Sequence, residues 1–481
     1  MVSLLVFVMG LALASQAMIG LAFLISCFSE HEKRASVFAG IQLLFMLLIL
    51  GLFIWLERSD VFSTDFGQAS LAIAIGAGIF GVFLVVRKTA PNDKALQGTQ
   101  GLIMGEVKRY DEREMISVRN KLRPGTTYYN QFYQLFPQHK LYDDKRREIG
   151  GAMGPRAGFI DRPLESPNVA ATLACDILPL YLSTPEIAKP AIDPDLGDKK
   201  IQLSPEEATE RVKGFAKYLG ADLVGITKIN PLWIYSHRGS INHGNWEDWG
   251  DEIPIEHQYA IVFATEMSFE MISTAPHTPT TIESLSGYAK GAYIATQLAA
   301  FIANLGYSAT QNRSSYYEAS VVPLAVDAGL GEVSRLGYLV TKELGPRVRL
   351  AAVTTNLPLI TDKPVDIGIE DFCKVCKKCA TCCPSKSISD GDQEIWKGIF
   401  RWKFSAETCF NYWGKIGTDC NVCMRVCPWS HARTLPHKFI VALVARNKIA
   451  RRLFILLDDI FYGKRPKPKA PPKWAQYESL T

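Results

Sequence analysis

Cys373-Lys-Val-Cys376-Lys-Lys-Cys379-Ala-Thr-Cys382-Cys383-Pro384 is answered downstream by Cys409 and by Cys420-Asn-Val-Cys423-Met-Arg-Val-Cys427-Pro428. Nine of the eleven cysteines fall between positions 373 and 427, unlike a scattered disulfide framework. A C-x-x-C-x-x-C-x-x-x-C-P run paired with a second, similar run is the spacing of proteins holding two 4Fe–4S clusters. In the second run an insertion moves the first ligand away from the other three. The fourth cysteine of each run serves the other cluster in this arrangement. Cys373, Cys376, Cys379 and Cys427 are therefore expected to hold one cluster, and Cys383, Cys409, Cys420 and Cys423 the other. Cys382 adjoins a ligand, so spacing leaves a swap with Cys383 open, but Pro384 favours Cys383. Zinc ribbons use paired C-x-x-C units and need neither a triple nor a Cys-Pro. Cys27 and Cys175 are read as ordinary apolar-environment thiols.

The rest of the chain sets the context. Its 481 residues allow two to four domains, and a net charge of +5 is too mild for nucleic acid to be the main partner. With 48% hydrophobic and 21% charged residues, global disorder is excluded. Residues 1–29, 35–56 and 66–86 carry no charged side chain, and each is long enough to span the hydrocarbon core, which takes about 20 apolar residues. A cleaved signal peptide would explain only the first. Lys33 and Arg34 follow the first stretch, and Arg87, Lys88 and Lys94 follow the third, so the positive-inside rule puts the body after residue 87 in the cytoplasm. Gly76-Ala-Gly78-Ile-Phe-Gly81 spells a dinucleotide fingerprint, but it lies within a span. The expected role of these glycines is close helix packing.

Residues 87–110 read as a linker, 111–150 as polar and aromatic-rich with a Pro124-Gly125 turn, and 183–200 as loop; from Ser204 helices and strands alternate. Ser204-Pro205-Glu206-Glu207 combines an N-cap, a first-turn proline and a capping-box glutamate. It predicts a helix to Leu219, closed by Gly220. Strands are expected at 221–227, 259–267, 307–311, 337–341 and 349–355, with a long amphipathic helix over 284–305. This predicts an α/β (α+β) fold in five parts: a membrane anchor (1–88), a linker and N-terminal region (89–203), an α/β domain (204–365), a ferredoxin-like two-cluster domain (366–435) and a C-terminal segment packed on the catalytic unit (436–481).

Residues 286–311, SGYAKGAYIATQLAAFIANLGYSATQ, and 323–359, with GLGEVSRLG and GPRVR, resemble the corrinoid- and iron–sulfur-dependent reductive dehalogenases. RYDEREMISVRNKLRPGTTYY at 109–129, GADLVGIT at 220–227 and DDIFYGKRPK at 458–467 extend the resemblance to about residues 100–470. It implies a nitroreductase-like domain holding base-off cobalamin, reduced through the two clusters, and removal of halogen from a small organohalide. No D-x-H-x-x-G motif marks a lower cobalt ligand, as the resemblance implies. The family's proton donor is a tyrosine beside a basic side chain, and Tyr288 is the candidate here. A nearby guanidinium would stabilise its phenolate. Arg335 is the first choice of partner and Arg347 the second. Asn312, Gly329, Gly331 and Glu332 are carried over as cofactor-binding candidates. Trp233, Tyr235, Trp246 and Trp249 could wall an apolar pocket. His237, His243 and His257 lack metal-ligand spacing and are expected to be structural.

The chain departs from the common members in lacking a twin-arginine export signal. Its first 88 residues look like the separate small anchor protein of that family, and Glu30-His31-Glu32 matches the anchor's acidic pair. The expectation is an anchor fused to its catalytic subunit, facing the cytoplasm from the inner membrane. Its electrons would come from a membrane donor such as quinol, or from ferredoxin or flavodoxin. Two alternatives are a membrane electron-transfer subunit without dehalogenase activity, and a relative of epoxyqueuosine reductase. The latter carries a catalytic aspartate where residues 314–323 here read SSYYEASVVP.

Overall fold

The computed structural model describes residues 2–149, 167–190, 199–239 and 248–477. They form two compact units: Met1–Pro91 with Lys374–Cys376 and His431–Pro466, and Asn92–Cys373 with Lys377–Ser430 and Lys467–Thr481.

In the first unit, helices Ser3–Ser29, Lys33–Arg58 and Asp65–Val86 are long and apolar enough to cross a membrane. Exposed Phe7, Leu48 and Phe80 are among the apolar side chains along them, a surface suited to lipid. The third helix starts where Thr64 Oγ1 accepts from the Gly67 N–H at 3.1 Å. A Cβ at Gly76, Gly78 or Gly81 would meet nothing within 4 Å. The expectation that they pack helices closely is therefore not met among the described residues, because that stretch has no neighbour of its own chain to approach. Helices Leu435–Arg446 and Lys448–Phe461 belong to this unit. Asn447 Nδ2 donates to the carbonyls of Leu84 (2.8 Å) and Arg87 (2.6 Å), satisfying acceptors at the third helix's end. Phe461 sets its edge on Phe23 with ring centroids 5.2 Å apart. The expected C-terminal segment is thus divided: its two helices pack with the membrane helices, and only residues from Lys467 onward join the other unit.

The second unit is built on a four-stranded sheet. Its strands are β1 (Leu223–Lys228), β2 (Tyr259–Glu266), β3 (Ala309–Asn312) and β6 (Val348–Thr355), in the order β1-β2-β6-β3, and every pair is antiparallel. The short pair β4 (Glu332–Val333) and β5 (Leu339–Val340) lies between them in sequence. Both faces of the sheet are covered. Ile261 and Phe263 of β2 pack with Ile294, Leu298 and Ile302 of helix Thr278–Asn304, while Ala260 and Val262 pack with Leu324 and Ala325 of helix Val321–Asp327. This two-sided burial is why β2 reads as an unbroken apolar run. Ser204 Oγ accepts from the Glu207 N–H at 3.1 Å, and its helix runs Pro205–Tyr218 as the capping box predicts. The long helix begins at Thr278, ahead of the expected Ser284. Pro279 sits in its first turn, where its missing N–H costs nothing. The strand expected over 337–341 is only the two-residue β5.

Candidate functional site

Helix Thr278–Asn304 approaches β6 closely, and two glycines are the reason. A Cβ on Gly287 would stand 2.6 Å from Arg349 Cγ, and one on Gly291 would stand 3.4 Å from Ala351 Cβ. Four helical residues rise about 6 Å, and two strand residues about 6.6 Å. Gly287 and Gly291 therefore match Arg349 and Ala351 nearly step for step. With no Cβ in its way, the Arg349 stem lies on the helix and its guanidinium stands over the Tyr288 ring, 4.8 Å from the centroid.

Four further groups surround Arg349. Its Nη2 donates to Ser284 Oγ at 2.6 Å and lies 3.7 Å from Asp419 Oδ2. Tyr317 and Tyr338 also face it. Burial works against its charge, but the combined field of Tyr288, Asp419, Tyr338 and Tyr317 outweighs that and holds its pKa above the usual value. Burial pushes the phenols of Tyr317 and Tyr338 well up.

The same helix is bolted to the loop that carries Cys420. Thr281 Oγ1 donates to Asp419 Oδ1 at 3.1 Å, and Asn421 Nδ2 donates to Ser284 Oγ at 3.0 Å and Thr280 Oγ1 at 3.2 Å. Beyond it the sulfurs gather. Burial pushes the Cys423 thiol well up, and the thiols of Cys409, Cys420, Cys379 and Cys383 add to the effect. Cys409 and Cys420 are each pushed up to about 12, chiefly by burial, with Cys383 contributing to both. Cys379, Cys383, Cys409 and Cys420 thus lie around Cys423, and burial disfavours the thiolates of Cys409, Cys420 and Cys423. Iron would supply the compensating charge, so the donor set fits a 4Fe–4S group. Cys373 and Cys376 lie on one helix, Ile369–Cys376, and burial raises the Cys373 thiol to about 11. Tyr338 lies in the field of Cys423 and Cys409 as well as that of Arg349 and Tyr288. Tyr338 packs with Cys379 and Cys423.

The other expected site residues make contacts of their own within the fold. Arg335, 1% exposed, donates from Nε to the Cys373 carbonyl (3.1 Å) and from Nη1 to those of Ser389 (2.8 Å) and Gly391 (2.7 Å). Its guanidinium faces Trp402. Arg347 donates to the Ser430 carbonyl at 2.9 Å, pairs with Glu266 at 3.1 Å and lies over Phe269. The basic group over Tyr288 is Arg349, and the glycine spacing was the sequence signal for it. Asn312 Oδ1 accepts from the Glu318 and Ala319 N–H groups. A Cβ at Gly329 would strike the Lys363 carbonyl oxygen at 2.3 Å, and one at Gly331 that of Val340 at 2.1 Å. Glu332 Oε1 accepts from Ile367 N (2.6 Å) and Ile369 N (3.2 Å), and burial raises its carboxyl to about 7.

Trp233 donates to Thr99, Tyr235 packs under the sheet, and Trp249 packs with Leu122 and Phe132. His237 bonds Ser236, and His257 bonds Thr354 and Ser308. Trp246 and His243 lie outside the described residues.

No family model matches the chain. The tetrachloroethene reductive dehalogenase of Sulfurospirillum multivorans is 33% identical over 292 residues, covering 54% of this chain and 58% of that protein. The enzyme of the same name from Desulfitobacterium hafniense is 32% identical over 277 residues, covering 49% of this chain and 50% of its own. A tagged variant of the catabolic reductive dehalogenase NpRdhA superposes with a TM-score of 0.57 at 25% identity, over 79% of this chain and 49% of that one. The chain spans about half the length of the curated relatives it matches.

Proposed function

We propose that the chain is a reductive dehalogenase, a reading its likeness to such enzymes supports, and that it is a membrane-anchored enzyme that replaces the halogen of a small organohalide with hydrogen. The observation that carries this reading is the Tyr288–Arg349 pair beside the loop that leads into Cys420. The balance is R–X + 2 e⁻ + H⁺ → R–H + X⁻. A base-off corrinoid, fed one electron at a time by two 4Fe–4S clusters, would supply the electron pair that breaks the carbon–halogen bond. The adjacency of the sulfur cluster, Tyr338 and Tyr288 fits such a group. Tyr288 Oη gives the proton to the carbon. Arg349, held charged by its surroundings, stabilises the phenolate left behind. Ser284 and Asp419 keep the guanidinium over the ring.

The three apolar helices tie the enzyme to a membrane. The basic residues beside them support a catalytic body on the cytoplasmic face of the inner membrane, and a quinol or a small redox protein as donor. The test uses protein purified anaerobically from cobalamin-supplemented cells. About eight iron atoms and one cobalt per chain are expected. With reduced viologen, halide release from chloroethenes and halophenols should fall at least about 100-fold in Tyr288→Phe, as for loss of a general acid, with iron and cobalt retained. Full iron without cobalt, or full release by Tyr288→Phe, overturns the reading. The first of these would leave an electron carrier.

A further inference from the structure

Within the first unit, polar groups from both ends of the chain meet where the first membrane helix ends. Glu30, 6% exposed, follows that helix. His437, 7% exposed, lies in helix Leu435–Arg446, and His431 shortly precedes it. The ligand atoms of Glu30, His431 and His437 all lie within 4.8 Å of one another. Glu30 Oε1 and His437 Nδ1 are 3.2 Å apart. Two ligands about 2.0–2.1 Å from a tetrahedral zinc ion stand roughly 3.3 Å apart.

We propose that Glu30, His431 and His437 form a divalent-metal site of the zinc class, distinct from the cysteine clusters. The surroundings match such a site in two ways. Each imidazole has its Nε2 held from the helix behind it: His431 by Asp458 Oδ1 at 2.6 Å, and His437 by the Tyr462 hydroxyl at 3.0 Å. Outer partners of this kind fix the rings of metal-binding histidines and turn the other nitrogen to the ion. The two rings stack with their centroids 4.8 Å apart. Ser26 Oγ donates to Glu30 Oε1 at 2.9 Å, and Thr434 Oγ1 lies 2.8 Å from His437 Nδ1. Both hydroxyls can rotate to accept a bound ion's neighbours. Two imidazoles and one carboxylate suit zinc and leave a fourth position for water. An ion here would clasp the first membrane loop to the C-terminal helices, joining parts of the chain some four hundred residues apart in sequence. The proposal stands apart from the dehalogenase reading.

The test uses the full chain in detergent, with its clusters, dialysed against zinc and then desalted. Zinc and iron are counted together, and absorption at the zinc edge reads the ligands. The expected result is about one zinc per chain with only nitrogen and oxygen neighbours. His437→Ala should lose that zinc at unchanged iron. Glu30→Gln, the milder change, should do the same if His437→Ala fails to fold. Asp458→Asn should weaken zinc affinity about 10–100-fold, as outer partners do. Zinc bound only through sulfur, or equal zinc in the wild type and both ligand variants, overturns the proposal.

Discussion

Gly287→Ala and Gly291→Ala make a matched pair of perturbations one helical turn apart. Each removes a glycine from the interior of helix Thr278–Asn304, which alone should stabilise by about 1 kcal/mol. They differ in what the new methyl meets. At 291 it finds the Ala351 Cβ at 3.4 Å, an ordinary contact. At 287 it finds the Arg349 Cγ at 2.6 Å and Cβ at 3.1 Å. Those atoms are the stem of the side chain, close to the backbone, so they cannot swing aside as a chain tip can. Overpacking of this kind costs about 1–3 kcal/mol. Gly291→Ala should therefore be neutral or slightly stabilising. Gly287→Ala should melt a few degrees below it, at about 2–4 °C per kcal/mol for a domain of this size. The displaced guanidinium also loses its 2.6 Å bond to Ser284 and its place over Tyr288. A hydrogen bond from a charged group is worth about 1.5–3 kcal/mol, so halide release should drop about 10–100-fold. Scanning calorimetry and viologen-driven halide release read the two effects. Equal melting and equal turnover in the two variants would refute the close-approach argument and, with it, the assignment of Arg349 as the partner of Tyr288.

Three other outcomes follow from the same structure. Arg349→Lys should keep full iron and lose halide release, whereas Arg335→Met, by freeing the carbonyls of Cys373, Ser389 and Gly391, should lose iron first, as read by iron analysis. Cys383→Ser should remove about four of about eight iron atoms, while Cys382→Ser should leave the count unchanged. Glu332, raised by burial to about 7, contributes stability that is fully present below its unfolded pKa of about 4.5 and is lost as pH rises through about 7. The melting temperature should therefore fall between pH 5 and 8, by an amount reflecting up to about 3 kcal/mol, and Glu332→Gln should flatten that fall.

Local chemistry made much of the molecule legible in sequence. Uncharged stretches gave the membrane helices, and the capping box at Ser204 gave the first helix of the sheet domain. An unbroken apolar run marked β2, because both faces of that strand are buried. What failed was long-range. An arginine's type does not say which carbonyl it will find, and those of Arg335 lie 38, 54 and 56 residues downstream. Arg347 and Arg349 stand two apart on one strand, and only the glycine opposite the second tells them apart. The conspicuous motif GLGE-x-x-R drew its residues into a cofactor role. The same residues also shape the backbone: glycines at 329 and 331 admit carbonyl oxygens, and Glu332 collects N–H groups from the segment that leads into the cysteines.

The turn at Cys420 indicates how the site is kept in register. Cys420 and Asn421 are both left-handed, with φ of 64° and 54°. Asparagine tolerates that region, but cysteine does so at a cost of about 1–3 kcal/mol. Such strain persists only where the surroundings over-determine it. Here Asp419 is held by Thr281, Asn421 by Thr280 and Ser284, and Asp419 faces the Arg349 guanidinium. The strained turn aims the Val422 N–H at the Cys420 sulfur, a bond that favours the thiolate a metal cluster requires. Ser284 lies at the centre of this arrangement, receiving both Asn421 and Arg349. The loop that leads into Cys420 and the arginine over Tyr288 thus share one hydroxyl group. Neither can shift without disturbing the other, so the distance between sulfur cluster and Tyr288 is set by the fold rather than by the substrate.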